Sequence, residues 1–411
     1  MKWLKDEDVQ AFLSRQNYDI RSSGNARWID QKCAADVLTI VSDCVMQYTD
    51  THRDAYFTSM DIWHDEYTTT NVESIFKKPN PDDKKARSEY DKFFQQPLEM
   101  LAYAGVLGKR KKKNRNLYIV VERDILEYLS IRERNSLTFL QMYITRVLTD
   151  SGLMSSFEEF FDKQTVNSYE KVKDNFTNFT IRYTKITGVT ECRRIFIKVL
   201  NPLAYQRDKC GTEKGRLSNY RITYDMLMYN RDNFRDIYAL KPKDLTRRQY
   251  AEEMGLKPSR GLNAYMSQKA KRLVRAYNDT FRNSRSEVYD ERHNADLAIH
   301  IHHIFPENEF PEICAFYENL IALTPTQHFS YAHPQGNTGR IDVAYQHICL
   351  QAKASVIQET IEDITREQIY EFNRFMHVLF IGLEDVAFTK IADNDFEDAL
   401  IAINLAYDKK L

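Results

Sequence analysis

Glycine is scarce in this chain, with 12 among 411 residues. Glycine supplies the positive-φ positions that tight hairpins and sheet corners use. A share well below the ordinary value of roughly 7% steers the fold away from turn-rich β architecture and towards helices. The expected fold class is α+β, mostly helical. The chain is long enough for about two to four domains, each with a buried core. With 43% hydrophobic and 28% charged residues, the composition is that of a folded globular protein rather than a disordered one.

Several classes of function are disfavoured at once. No apolar run approaches the ~18 residues that a membrane helix needs. The start, MKWLKDEDVQ, is charged and has no signal-peptide core. Cys33, Cys44, Cys192, Cys210, Cys314 and Cys349 form no CxxC pair, so neither a disulfide framework nor a cysteine-zinc site is expected, and a reducing cytoplasm fits. The net charge is -1, so nucleic-acid binding would have to come from local patches.

Five segments are expected: 1–54, 55–125, 126–285, 286–345 and 346–411. In the first, Asp30 caps a helix whose core face carries Cys33, Val37, Ile40, Val41, Cys44 and Val45. In the second, a helix over Tyr56 to Phe76 is followed by a loop over Lys77 to Asp83, where two prolines act as breakers. A second helix follows, with Tyr90, Phe93, Phe94, Leu98, Leu101 and Ala102 on its apolar side, and Gly105 and Gly108 punctuate its end. Then come a basic tip containing Lys109, Arg110, Lys111, Lys112, Lys113 and Arg115 and a strand over Leu117 to Val121. A basic run taken alone reads as a solvated loop. Set between a helix and a strand, it resembles the wing of a winged-helix module, in which the second helix enters the major groove and the wing touches phosphates.

The third segment has strand-like pieces, FTIRYTKI and RRIFIKVL. Lys209 to Arg221 reads as a polar, basic loop in which Lys214 and Arg216 are candidate phosphate contacts. Over Leu262 to Phe281 an amphipathic helix is expected, with Leu262, Tyr265, Met266, Leu273, Val274 and Tyr277 as its apolar stripe. Lys269, Lys271, Arg272 and Arg275 cluster away from that stripe. Such a face is ordinarily a solvated one. In a DNA-cutting protein Lys271, Arg272 and Arg275 become a phosphate rail. No internal repeat or low-complexity tract is evident. From about 350 onward the chain reads as helical and acidic, a region for packing or dimerisation.

The chemistry-bearing stretch is HIHHIFPENEF, His300 to Phe310, and eight of the ten histidines, beginning with His293, lie in the last third. HIHHIF and NLIAL each have strand length and β-branched residues. TPTQH opens with a threonine cap and a proline at the first helical position. The order is therefore strand, loop, strand, helix.

His302-His303, then Asn319 sixteen positions on, then His328 nine further on, together with the phrases IHHIFP and LTPTQHF-x-x-AHP, resemble the HNH (ββα-metal) nucleases. The restriction-endonuclease members are the most similar, over about 40 residues from His300 to Arg340. The resemblance implies His302 and His328 as metal ligands and His303 as the base that takes a proton from water. It implies that Asn319 either bonds the backbone across the loop or orients His303. It also implies Mg²⁺, with Mn²⁺ or another divalent metal as alternatives. His333 is read as a third ligand, or as a structural or phosphate-contacting residue, because such a histidine follows by four in colicin-like members and by five here. His300 is a ligand or polar surface, and His293 and His347 are ordinary surface or core histidines. The His302-His328 pair could alternatively hold a structural zinc.

The implied function is a type II restriction endonuclease that cuts double-stranded DNA at a short specific sequence. A homodimer and a cognate DNA methyltransferase in the same system are the implied partners. The alternatives are a less specific or modification-dependent nuclease acting as a defence effector, and a non-catalytic DNA-binding regulator.

Overall fold

The computed structural model describes residues 3–76, 78, 81–82, 87–229, 260–291, 296–333 and 341–408. His293, Pro334, Arg340 and part of the expected loop at 77–83 lie outside these, as do the side chains of Tyr90 and Leu262. The chain is α+β and mostly helical, and its described strands form three two-stranded antiparallel sheets. It divides into two compact units, Leu4–Lys257 and Met1–Trp3 with Pro258–Leu411. The expected segment 126–285 is thus shared between the two.

The unit Leu4–Lys257 begins with α1 (Asp6–Leu13), α2 (Ile20–Ser23) and α3 (Ala35–Thr51). Helix α3 is central because it buries both a broad apolar stripe and the flanking Ser42 and Asp43. Asp30 does not cap it. Ala34 holds the cap position, while Asp30 is fully buried in an ion pair with Arg27. The expected helix 56–76 is broken by a turn into α4 (Ser59–Trp63), capped by Thr58, and α5 (Glu66–Phe76). After α6 (Arg87–Tyr103), Gly105 takes a positive φ of 86° that lets the chain turn sharply into the next hairpin.

That hairpin pairs β1 (Leu107–Lys112) with β2 (Arg115–Val120). The basic run is expected as the tip of a hairpin, and a hairpin is present; the charges extend beyond its tip, since Lys109 to Lys112 lie within β1 and only Lys113 and Asn114 form the turn. The charges mask the strand in the sequence because this edge of the hairpin is exposed. There β-branched residues have no packing advantage.

Next come α7 (Arg123–Ile131), α8 (Glu133–Asp150), α9 (Met154–Lys163), α10 (Val166–Tyr183) and α11 (Val189–Gln206). FTIRYTKI and RRIFIKVL are not strands. The first closes α10 and the second lies inside α11. Cys192, Ile195, Phe196, Val199, Leu200 and Leu203 recur at helical spacing and are all buried, so tertiary packing overrides the local β-branched composition. Lys209 to Arg221 is likewise not a loop. It holds β3 (Cys210–Glu213) and β4 (Arg216–Arg221), and a short α12 (Tyr224–Leu227) follows.

The second unit is built on α13 (Arg260–Phe281), the hairpin of β5 (His300–His303) and β6 (Leu320–Leu323), and helices α14 (Val343–Glu362), α15 (Phe372–Leu383) and α16 (Phe396–Asp408). The C-terminal stretch is helical, as its pattern suggests, and it supplies most of this unit's core. Strand β6 is buried on both faces. Leu320 packs with Ala270 and Val274 of α13, and Ile321 and Leu323 join the larger core with Leu350, Ile357 and Leu379. On α13, Met266 is exposed and Lys269 is buried above the Tyr265 ring, so both depart from the expected faces.

Gly382 of α15 lies against Phe305, directly after β5. A Cβ there would come within 2.4 Å of the Phe305 ring. Gly382→Ala should therefore cost stability despite the ~1 kcal/mol that alanine gains in helix propensity. A net loss of about 1–2 kcal/mol is expected from overpacking. Urea denaturation of Gly382→Ala, Phe305→Leu and the double variant checks this. The double variant should lose less than the sum of the singles, and additive losses would mean that the two residues do not conflict.

Candidate metal centre

The antiparallel pairing sets His300 opposite Leu323, Ile301 opposite Ala322, His302 opposite Ile321 and His303 opposite Leu320. Strand alternation then sends His300 and His302 to one face and His303 to the other. Two adjacent histidines thus enter two different environments.

The face of His302 is completed by the segment after β6. Thr324 and Gln327 cap it reciprocally. The Gln327 N–H donates to the Thr324 hydroxyl at 3.2 Å, and the Thr324 N–H donates to the Gln327 side-chain oxygen at 3.0 Å. Gln327–Ala332 winds as a π-helix. A π turn closes from i to i+5, so residues five apart recur on one side. His328 and His333 are five apart, and the wider winding brings both rings to His302. The centroids lie 5.2 Å (His302–His328), 4.8 Å (His302–His333) and 5.0 Å (His328–His333) apart. One nitrogen from each ring lies within 4.8 Å of the other two.

This donor set fits a metal ion. His302 Nε2 and His328 Nδ1 are buried and have no hydrogen-bond partner. An orphaned imidazole nitrogen is costly unless something ligates it. The three rings could supply three ligands, and all are nitrogen donors. Burial pulls the His302 pKa down to about 2, helped by His328, His333, His303 and Lys271. Burial also pulls His328 down to about 4, with His300, His333 and Lys271 adding to the shift. Both rings are therefore neutral at ordinary pH, the form that binds metals. His300 stacks on His328 at 4.7 Å but is not one of the converging three. Burial lowers its pKa, with a contribution from Arg275.

On the opposite face, His303 Nε2 lies 2.9 Å from the Cys314 carbonyl and 3.3 Å from the Ser267 hydroxyl. A carbonyl can only accept, so Nε2 carries the proton and Nδ1 is the free base. The Ser267 hydroxyl donates to Glu307 at 3.0 Å. Burial holds the His303 pKa down near 4, reinforced by Lys271 and opposed by the Cys314 carbonyl. Asn319 does not touch His303. Its carboxamide accepts from the Phe305 N–H at 2.8 Å and donates to the Phe305 and Ile313 carbonyls, so of the two expected roles it fills the backbone one.

Helix α13 lays Ser267, Lys271 and Arg275 along one side at four-residue intervals. Ser267 bonds His303, Lys271 acts electrostatically on His302, His303 and His328, and Arg275 acts on His300. Lys271 is itself half-buried, and burial lowers its pKa. Arg272 is half-buried on the same helix. His347 lies outside this cluster, bonded to Asn404 and stacked on Tyr407.

The remaining candidates belong to the other unit. Lys109 pairs with Glu99 at 2.6 Å, and Arg110 lies 3.4 Å over the Tyr56 ring. Lys111, Lys112, Lys113, Arg115, Lys214 and Arg216 are exposed and meet no carboxylate among the described residues. Ser267, Glu307 and the Cys314 carbonyl were not foreseen. Ser267 lies one helical turn before Lys271, a signal that could have been used, but a backbone carbonyl leaves no trace in a sequence.

Titration calorimetry with Mn²⁺ and Zn²⁺ tests the donor set. His302→Ala, His328→Ala and His333→Ala should each weaken binding at least ~10-fold, whereas His300→Ala should not. Metal competes with protons for these nitrogens, and burial lowers the pKa values of His302 and His328. In the His333→Ala variant affinity should therefore stay level from pH 8 to about 5 and fall only as His328 protonates near 4. In that variant a fall centred near 6.5, the ordinary histidine value, would mean that His302 and His328 are not held dry.

No protein-family model, curated protein or solved structure matches the chain.

Proposed function

We propose that this chain is a metal-dependent endonuclease that hydrolyses phosphodiester bonds of double-stranded DNA at a short specific sequence. In this reading β5, β6 and the π turn form an HNH (ββα-metal) finger, and the segment around β1–β2 is a winged-helix-like DNA-binding module. The observation that carries it is the split of adjacent histidines between two faces. His302 joins two other imidazoles, while His303 stands alone with its tautomer fixed by a carbonyl.

His302, His328 and His333 would hold the ion, which when bound supplies a Lewis acid that neutralises charge on a phosphoryl oxygen. His303 is neutral at pH 7 and takes a proton from the attacking water at Nδ1. Its Nε2–H remains on the Cys314 carbonyl, which favours the imidazolium that forms. Lys271 and Arg275 present cationic groups beside the histidines and suit the scissile phosphate. An all-nitrogen donor set, with no carboxylate in the group, matches zinc, nickel or manganese better than the magnesium implied by family resemblance. Cutting both strands calls for two fingers, hence a homodimer, and a cell carrying such an enzyme needs a methyltransferase of the same specificity.

Digestion of long, defined duplex DNA with Mg²⁺, Mn²⁺, Zn²⁺ or EDTA tests this reading. Discrete fragments in at least one metal, and none in EDTA, are expected. A smear would point to a less specific nuclease, and intact DNA in every metal would overturn the assignment in favour of a non-catalytic binder.

Single-turnover cleavage separates the roles of the residues. His303→Ala should slow cleavage at least ~10²-fold while leaving calorimetric metal binding unchanged. His302→Ala should lose both. If His303→Ala cleaves normally, the base lies elsewhere.

A further inference from the structure

Two stretches of the unit Leu4–Lys257 repeat one element order. In each, a threonine caps a helix through a reciprocal box, Thr58 with Asp61 and Thr165 with Ser168. In each, the residue before the cap reaches the later hairpin. Phe57 pairs with Tyr118 through backbone, and the Gln164 side chain pairs with the Cys210 backbone. Each then has a helix with an internal proline, Pro97 in α6 and Pro202 in α11, followed by an antiparallel hairpin and another helix.

From the hairpin turn onward the two stretches match at a constant offset. Lys113 and Lys214 differ by 101, as do Arg115 and Arg216, Asp124 and Asp225, Leu126 and Leu227, and Tyr128 and Tyr229. A backbone bond of 3.1 Å closes each hairpin base, Val121 N–H to Val106 and Ile222 N–H to Lys209; its donors keep the offset of 101, while its acceptors differ by 103. Lys113 and Lys214 both take a positive φ, 55° and 49°. Lysine is not a residue that favours this region.

Some of these matches have structural reasons. Leu126 and Leu227 are buried, and Asp124 and Asp225 sit in the first turns of their helices. The matched turn cations have none. Lys113, Lys214, Arg115 and Arg216 are exposed and meet no carboxylate among the described residues. Beside the second pair Tyr220 is 79% exposed, an aromatic face in solvent with no packing role. Exposed cations and an exposed ring at a hairpin tip suit a polyanion with a stackable sugar or base.

We propose that the stretch 164–229 is a second copy of the module at 57–128, and that its hairpin β3–β4 is a second wing gripping the phosphate backbone of duplex DNA. The inference rests on the chain being a DNA-binding protein and not on its nuclease chemistry. Two wings on one unit would contact the duplex at two places. The second contact would contribute affinity and salt dependence without reading bases.

The test is anisotropy titration of a 30-bp duplex (a length of about three helical turns) by the full chain in EDTA, across a salt series. The variants are Lys214→Ser/Arg216→Ser/Tyr220→Ser, Lys111→Ser/Lys112→Ser/Lys113→Ser/Arg115→Ser, and their combination. Lys163→Ser/Lys171→Ser serves as a control for charge loss elsewhere on the unit. The β3–β4 variant should bind at least ~10-fold more weakly at 0.15 M salt, with a salt slope lower by about 0.9 per lost phosphate contact. Losses should add in the combined variant, and the control should bind as the parent does. Unchanged affinity and slope in the β3–β4 variant would overturn the second wing. So would a loss that disappears once the β1–β2 cations are removed, or one reproduced by the control. Binding that behaves as expected in a chain that cuts DNA in no metal would leave this inference standing and remove the nuclease.

Discussion

The Asn319 carboxamide ties the start of the loop after β5 to its end. It accepts from the Phe305 N–H and donates to the Phe305 and Ile313 carbonyls, and it is fully buried. The Ile313 carbonyl also accepts from the Phe316 N–H, but the Phe305 N–H and carbonyl would otherwise be unsatisfied buried dipoles, each costing about 1–3 kcal/mol. Closing the loop this way also brings the Cys314 carbonyl to His303. The tautomer of one histidine and the course of the loop therefore have a common cause. The chemistry proposed for this site depends on a residue that hydrogen-bonds neither to the three converging histidines nor to His303.

The two faces of β5 then differ by what each excludes. On the His302 face, burial and mutual repulsion keep His302 and His328 neutral, so neither has a proton to give up when a cation binds. On the His303 face, burial and Lys271 act in the same direction, but the carbonyl pulls back towards the charged form. A ring held this way is neutral at rest yet supported when it gains a proton. Lys271 influences both faces, acting on His302 and His328 and on His303, while Arg275 acts on His300.

Much of this site is legible in the sequence, for identifiable reasons. Alternation within HIHH, the Thr324 cap and the apolar run LIAL are local signals, and the structure has a strand, a helix start and a doubly buried strand there. The five-residue spacing of His328 and His333 was ambiguous because helix rules assume α winding, and nothing local announces a π turn. The fold was less legible. FTIRYTKI and RRIFIKVL have strand composition but lie on helices buried against their neighbours. Lys109 to Lys112 have loop composition but form a strand. The proposed repeat of the module is faint in the sequence because its two copies share only a few positions, and most of those align only when the hairpins are matched by their turns.

The polar groups beneath the hairpin have a reason in register. A strand with one buried face is held in place by its own pattern, because a one-residue slip exposes its apolar side. Strand β6 has no such protection, since all four of its residues are buried. A slip would cost it little, yet it would take Ile321 and Leu320 from their places opposite His302 and His303. The outer edge of β6 is instead pinned by Glu287. Its N–H donates to the Ala322 carbonyl and its carboxylate accepts from the Ala322 N–H, both at 3.0 Å. That carboxylate is held in turn by Lys353, which also donates to Tyr370, and the ion pair is almost wholly inaccessible to solvent. A buried pair of this kind is weak evidence for stability, because desolvation offsets most of its attraction. Its value here is positional. Only one register offers Ala322 to Glu287, and that register sets His302 opposite Ile321 and His303 opposite Leu320.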